Sequence, residues 1–397
     1  MLHRSRIFRF AATVLCAGAL VFALGAGGSQ SQAGSSHESG LFDPLYPIYE
    51  FIQAQFYEPE RIDSSKALYS AMKGIVAELA DPYSEFLDPE EFSRLSRTIE
   101  DGESDVGIGV ELGIVDGVLA VIAPLPGSPA EDAGVLPGDL ILAINDRSTE
   151  FETLSSAKER LRGALEDPVV LWVRHPDDTR EEITIVPTAI AVEPMISDVL
   201  CDGLIGYVKI QRFESSTPAA LDETLSTLEV EKLTGLVLDL RNNPGGLLSV
   251  AIAVSSRFVD DGIVSQTVDR FSGQRSHRST GNLLPNLPLV VLVNRGTAGA
   301  SEIVAAAIRD NRMGILAGED TFGLGVYQQL LEFPDGSALR ITTGEYLTPS
   351  GDPIDGEGIA PDLAAAEGSD VITLAVDWIG QHDGTVMPLA ATDPEES

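Results

Sequence analysis

The sequence predicts an α/β fold, and three observations carry that reading. The first is an apolar run at residues 287–293, followed by a tight turn of small residues and a helix-forming stretch at 300–308. A short apolar run bounded by turn residues reads as a buried strand. The second is alternation. Residues 206–213 read as a strand, 218–228 as an amphipathic helix and 235–240 as another buried strand, a succession that layers helices on a sheet. The third is a separate glycine-rich stretch ahead of this core. There, 127–146 gives a turn, a short helix packed through Ala130 and Ala133, Pro137-Gly138 and a buried strand.

Length and charge bound the rest. A chain of 397 residues has room for two or three domains. Its net charge of −35 repels phosphates and anionic headgroups, so no nucleic acid is expected as a partner. Residues 1–33 read as a signal peptide or an N-terminal anchor. His3, Arg4, Arg6 and Arg9 form a basic start, 11–26 an apolar core, and Ser31-Gln32-Ala33 a small-x-small cleavage site. Export to a periplasmic or cell-envelope compartment follows, either soluble or held by an N-terminal membrane anchor. Cys201 is the one cysteine beyond that leader and reads as a small buried residue. His175, His277 and His382 stand isolated and read as surface residues, so neither a metal nor a cofactor is expected.

Residues 34–104 form a tether and a mostly helical lead-in, broken at Asp81-Pro82-Tyr83. Residues 105–190 read as a PDZ domain. Gly107-Ile108-Gly109-Val110 sits where such domains keep a carboxylate-binding loop. Glycine lets successive backbone N–H groups converge on an anion, and a peptide adds as a strand beside them. The stretch at 164–168, Leu-Glu-Asp-Pro after Ala164, departs from the glycine-threonine turn usual there. Residues 191–380 form the core. Within it, Pro334-Asp335-Gly336-Ser337 marks a hairpin, and 371–379 a last apolar helix. Residues 381–397 form an acidic tail.

Four segments resemble the carboxy-terminal processing, or tail-specific, serine peptidases. They are 81–92 (D-P-Y-S-E-F-L-D-P-E-E-F), 239–246 (D-L-R-N-N-P-G-G), 297–303 (T-A-G-A-S-E-I) and 345–362, which ends the core motif. The resemblance implies a mixed α/β spiral core of the ClpP/crotonase-like type, with the PDZ domain inserted before it and a helical region at the N-terminus. It also implies site positions. The family nucleophile is the middle serine of S/T-A-S-A-S-E-I, and here that position is Gly299. The family lysine lies in G-K-G-x-x-Q, and here that position is Leu324, while the glutamine is retained as Gln328. Gly245 or Gly246 and the amide of Ala300 fall at the family's oxyanion hole, where donors aim at developing charge.

A serine hydroxyl is a weak nucleophile that needs an adjacent base. Gly299 and Leu324 supply neither, so no catalytic pair is intact. Ser301 reads as a helix cap rather than a substitute nucleophile. The sequence is therefore read as an exported, catalytically inactive homologue that binds unstructured protein or peptide C-termini. Two other readings stay open: a serine-type endopeptidase with a non-standard pair, and a regulatory subunit of an active paralogue. Homo-oligomers are left open as well.

Overall fold

The computed structural model describes residues 40, 42–100, 106–150, 152–162, 167–190, 193–281, 287–365 and 369–382. The leader at 1–33, most of the 164–168 turn and the tail beyond 382 lie outside these residues. Among the described residues, no helix is long and apolar enough to cross a membrane.

The lead-in holds helices α1 (Leu45–Gln55) and α2 (Ser64–Ala77). α2 starts where the Asp63 carboxylate accepts from the amides of Ser65 and Lys66, two donors with no intrahelical partner. α1 buries none of its residues, and Tyr46 and Phe51 stand exposed on it. The lead-in is mostly helical, as expected, and after the break at Asp81-Pro82-Tyr83 it also holds a short strand, β1 (Glu85–Leu87). Asp81 accepts from Tyr83 N and Ser84 Oγ, and Asp88 caps helix α3 (Pro89–Glu100) through the amides of Glu90 and Glu91. The short stretch left between these two caps is buried and pairs with the core, Phe86 opposite Leu339.

The PDZ domain begins with a small ladder of β2 (Val106–Gly107), which ends on β9 below. Its main sheet runs β3 (Val110–Val115), β4 (Val118–Pro124), β5 (Leu140–Ile144), β7 (Val169–Arg174) and β8 (Arg180–Ile185). A two-residue β6 (Arg147–Ser148) lies off β5. β9 (Thr188–Ala189) returns to pair with β2. Helix α4 (Pro129–Asp132) starts at Ser128, whose hydroxyl accepts from Glu131 N. Helix α5 (Leu154–Arg162) seats Leu154, Ala157 and Leu161 on Leu112, Ile141 and Leu171. β3 is the outermost strand of this sheet.

The core sheet has the order β10 (Met195–Leu200), β11 (Ile205–Ile210), β12 (Gly235–Asp239), β15 (Leu289–Val293), β16 (Ile315–Gly318) and β19 (Leu363–Ala364). It is parallel from β11 onward. Its central strand β15 is apolar at every position and fully buried, because both faces are covered, as parallel sheets require. Leu238, Val291 and Val293 point to α6 (Thr217–Thr227), α7 (Leu248–Ser255) and α8 (Ala300–Asp310). Val237, Val290 and Leu292 point to α9 (Val371–Gln381), where Ala375 and Ile379 meet them. α8 is alanine-rich and buried from Ala300 to Ile308, so small side chains let its neighbours close in from all sides. A second sheet, order β1-β18-β13-β14, contains β13 (Ile263–Asp269), β14 (Gly273–Arg278) and the expected hairpin of β17 (Val326–Glu332) and β18 (Ala338–Leu347).

Two expectations are corrected. Cys201 is exposed rather than buried, because it sits with φ +54° in the turn Cys201-Asp202-Gly203 between β10 and β11. His175 is no isolated surface residue. Its Nδ1 lies 2.7 Å from Asp139 Oδ1 and its Nε2 3.3 Å from Glu181 Oε1, with the ring mostly covered. Desolvation pushes the imidazole down, but the two carboxylates outweigh it and hold its pKa above the usual value.

The two domains meet over the β15–α8 turn. Ile122 and Ala123 of β4 are buried against Ala298, with Phe322 and Leu324 packed beside them. A methyl on Gly113 would lie 2.7 Å from Phe322 Cζ, so the β3 backbone rests on that ring. The sheet itself carries the core. Truncating Leu238, which is fully buried at the centre of β12, should cost about 3 kcal/mol for lost transfer energy and a residual cavity. Urea unfolding of Leu238→Ala beside the parent chain checks this.

Candidate functional site

The site is built on the turn that leaves β15. Asn294 N donates to Thr297 Oγ1, and Thr297 Oγ1 donates to Leu240 O at 2.9 Å, which locks the turn to the end of β12. Ala298 N reaches Asn243 O at 3.0 Å and Phe322 N reaches Thr297 O at 2.9 Å. At the apex Gly299 has φ +56° and ψ −115°. Residues with a Cβ rarely adopt that backbone, and holding one there costs about 1–3 kcal/mol. Space is not the obstacle. A Cβ on Gly299 would meet Leu324 Cδ2 and Pro244 O at 3.7 Å, which is ordinary contact. The structure thus brings positions 299 and 324 face to face.

The fully buried carboxylate of Glu302 holds this geometry. Its Oε2 accepts from Gly299 N and Leu324 N, each at 2.8 Å. Its Oε1 accepts from Gly323 N at 2.7 Å and from the Thr321 hydroxyl. Glu302 is not among the site positions expected from sequence. The signal was there: a glutamate three residues after a helix N-cap is half of a capping box. Glycine at the cap has no side chain, so the carboxylate half is made alone.

The second turn, between β12 and α7, lies against the first. Asn243 Nδ2 donates to Ile210 O at 2.7 Å, and Gly245 N donates to Asn243 Oδ1 at 2.9 Å. Gly245 fits so closely that a Cβ would stand 2.6 Å from Ala298 O and 2.8 Å from Ala300 N. Gly246 bridges to Phe213. The three expected oxyanion-hole positions therefore divide. Gly245 and Ala300 adjoin, and the Gly245 amide is engaged by Asn243. Ser301 is corrected: its hydroxyl donates to Asn243 O at 3.0 Å and caps nothing. Gln328 lies at the start of β17, and its amide donates to Thr342 Oγ1 at 3.4 Å. Beside them Asp239, without solvent access, holds Arg241 and Tyr207 at the end of β12.

The PDZ loop lies apart from this cleft. Ile108 O accepts from Ala130 N and Gly109 O from Leu125 N, each at 2.8 Å; Ser128 Oγ also donates to Gly109 O. Gly109 has φ +79°, and a Cβ there would fall 2.3 Å from Ser128 Cβ. Gly107 and Ile108 are buried, and Val110 opens β3. A Cβ on Gly107 would lie 3.6 Å from Arg162 Cα, so the loop is level with the last turn of α5.

Burial pushes Glu302 up to about 7, against the pull of Thr321 and three amides toward the charged form. A folded pKa above the unfolded one means that the folded chain holds the proton more tightly. That stabilisation is complete below the ordinary value of 4.5 and is lost as pH rises through 7. Relative to Glu302→Gln, which does not titrate, the parent chain should melt at progressively lower temperature between these two pH values. A difference between the two melting curves that stays flat across that range would show that Glu302 is charged throughout.

Comparison with known proteins agrees with this architecture. Residues 204–365 match the profile of Peptidase family S41, and residues 121–174 that of a PDZ domain. A carboxyl-terminal-processing protease of Picosynechococcus sp. is 38% identical over 297 residues, which span 74% of this chain and 72% of that one. The carboxy-terminal processing protease CtpA of Bacillus subtilis is 34% identical over 355 residues, 89% of this chain and 75% of that one. The solved structure titled photosystem II D1 C-terminal processing protease superposes with a TM-score of 0.71 at 29% identity, covering 86% and 91% of the two chains. The chain belongs to the carboxyl-terminal processing protease family, with an S41 core and a PDZ domain.

Proposed function

We propose that this member of the family is catalytically inactive and captures unstructured protein C-termini without cutting them. One observation carries the reading: Gly299, on the strained apex where a nucleophile would sit, faces the aliphatic side chain of Leu324. Nothing at either position attacks a carbonyl or takes a proton, and acyl transfer by a hydroxyl needs both groups together. The neighbouring hydroxyls are engaged elsewhere. Thr297 donates to Leu240 O, Ser301 to Asn243 O and Thr321 to Glu302. The relatives are named as proteases that act at carboxyl termini. In this chain the tail-recognition part of that activity rests on the PDZ loop, with a glycine backbone shaped to meet a carboxylate. The basic and apolar leader supports export to the cell envelope.

Two experiments test the reading. The backbone frame is retained, so Gly299→Ser combined with Leu324→Lys should gain measurable peptidase activity on an unfolded protein. Either change alone should gain none, because the two groups act as a unit. Cleavage by the parent chain that a serine-directed inhibitor abolishes would overturn the inactive reading. Separately, amidating the C-terminus of a bound apolar tail should weaken its affinity about tenfold through lost charge-assisted bonds. Equal affinity for free and amidated tails in a titration would reject the loop as the carboxylate site.

A further inference from the structure

Among the described residues the outer edge of β3 has no strand partner, and α5 runs beside it. That slot is where an extended tail would add, its carboxylate at Gly107–Gly109. An ion pair now crosses it. Lys158 Nζ, reaching from α5, lies 2.6 Å from Glu111 Oε1 on β3. The other carboxylate oxygen, Oε2, lies 3.6 Å from Arg212 Nη2 of the core. Burial disfavours the Glu111 charge, but Lys158 and Arg212 hold its pKa below the usual range.

A strand entering the slot must break the Lys158–Glu111 contact. The two partners are not equally committed. Glu111 is 22% exposed and keeps Arg212, whereas Lys158 is 47% exposed and is left without a carboxylate. A basic ligand side chain would have to take Glu111 from both cations. A neutral one would strand Lys158. An acidic one replaces the lost partner. Position along the ligand follows from the helix. The loop is level with Arg162, and Lys158 is one turn earlier, about 6 Å along the axis. Extended chain advances about 3.3 Å per residue, so that distance is about two residues. Last and third-from-last side chains share one face of a strand, the face toward α5.

We propose that Lys158 is a specificity-determining residue that selects tails with a carboxylate on the third residue from the end. This rests on the tail-binding reading above. The overall charge of −35 opposes acidic ligands at long range, but that field is screened beyond about 8 Å at physiological salt, and a direct pair is not.

The experiment titrates the full chain with three short fluorescent peptides ending in Glu-Ala-Leu, Gln-Ala-Leu and Lys-Ala-Leu. The glutamate peptide should bind about threefold to fivefold tighter than the glutamine peptide, the range of a partly exposed pair, and the lysine peptide weakest. Lys158→Gln should bring the glutamate-to-glutamine ratio to about one while the glutamine peptide still binds, which shows that the domain is intact. Glu111→Gln should raise affinity for the glutamate peptide, because Lys158 then has no competing partner. Equal binding of the first two peptides by the parent chain, or a preference that survives Lys158→Gln, would overturn the assignment and leave tail capture standing. Failure of all three to bind would overturn tail capture itself, and this inference with it.

Discussion

One carboxylate without access to water holds the cleft together. Glu302 takes the amides of Gly299 and Leu324 on one oxygen and the amide of Gly323 with the Thr321 hydroxyl on the other. Thr321 Oγ1 in turn accepts from Ile359 N, so the closing segment of the core is tied in as well. Each of those amides left buried and unpaired would cost about 1–3 kcal/mol. The hold is made through the backbone. Side chains at 299 and 324 are not part of the clasp. The contacts that fix the turn and the loop are made by the amides of 299 and 324, whatever their side chains. The cleft keeps its frame with neither a hydroxyl nor an amine in it.

The apolar side chain at 324 has a second effect. It joins Phe322, Ala298, Ile122 and Ala123 in a small cluster shared by the PDZ sheet and the core. An amine in that place would lose hydration as the PDZ domain settled over it. An isobutyl group gains from the same approach. The contact between domains is therefore continuous with the cleft, and the rear face of the β3–β4 hairpin is part of its roof.

Much of this was legible in the chain. The apolar run at 287–293 and the alanine-rich segment after it mark the strand, turn and helix of the site, because burial on both faces writes itself as apolar sequence, and the strand itself occupies 289–293. The pairing of 299 with 324 is what the family resemblance implies. What escaped was set by partners distant in sequence. β1 is a strand because β18 lies beside it, and no local pattern in Glu85, Phe86 and Leu87 announces that. Ser301 turned from capping to bonding Asn243 because the second turn brings a buried carbonyl to it. Cys201 was expected inside for its chemistry, and a left-handed turn put it outside. His175 found Asp139 through the pairing of β5 with β7.

The backbone at Gly299 also gives the chain a direction in sequence space. A position at φ +56° and ψ −115° penalises every side chain and relaxes when the side chain is removed. On the inactive reading, glycine at 299 avoids the strain of about 1–3 kcal/mol that a serine would carry there. A serine placed at 299 would cost stability, and with Leu324 opposite it would find no base. Stability at the apex and a hydroxyl there thus pull in opposite directions.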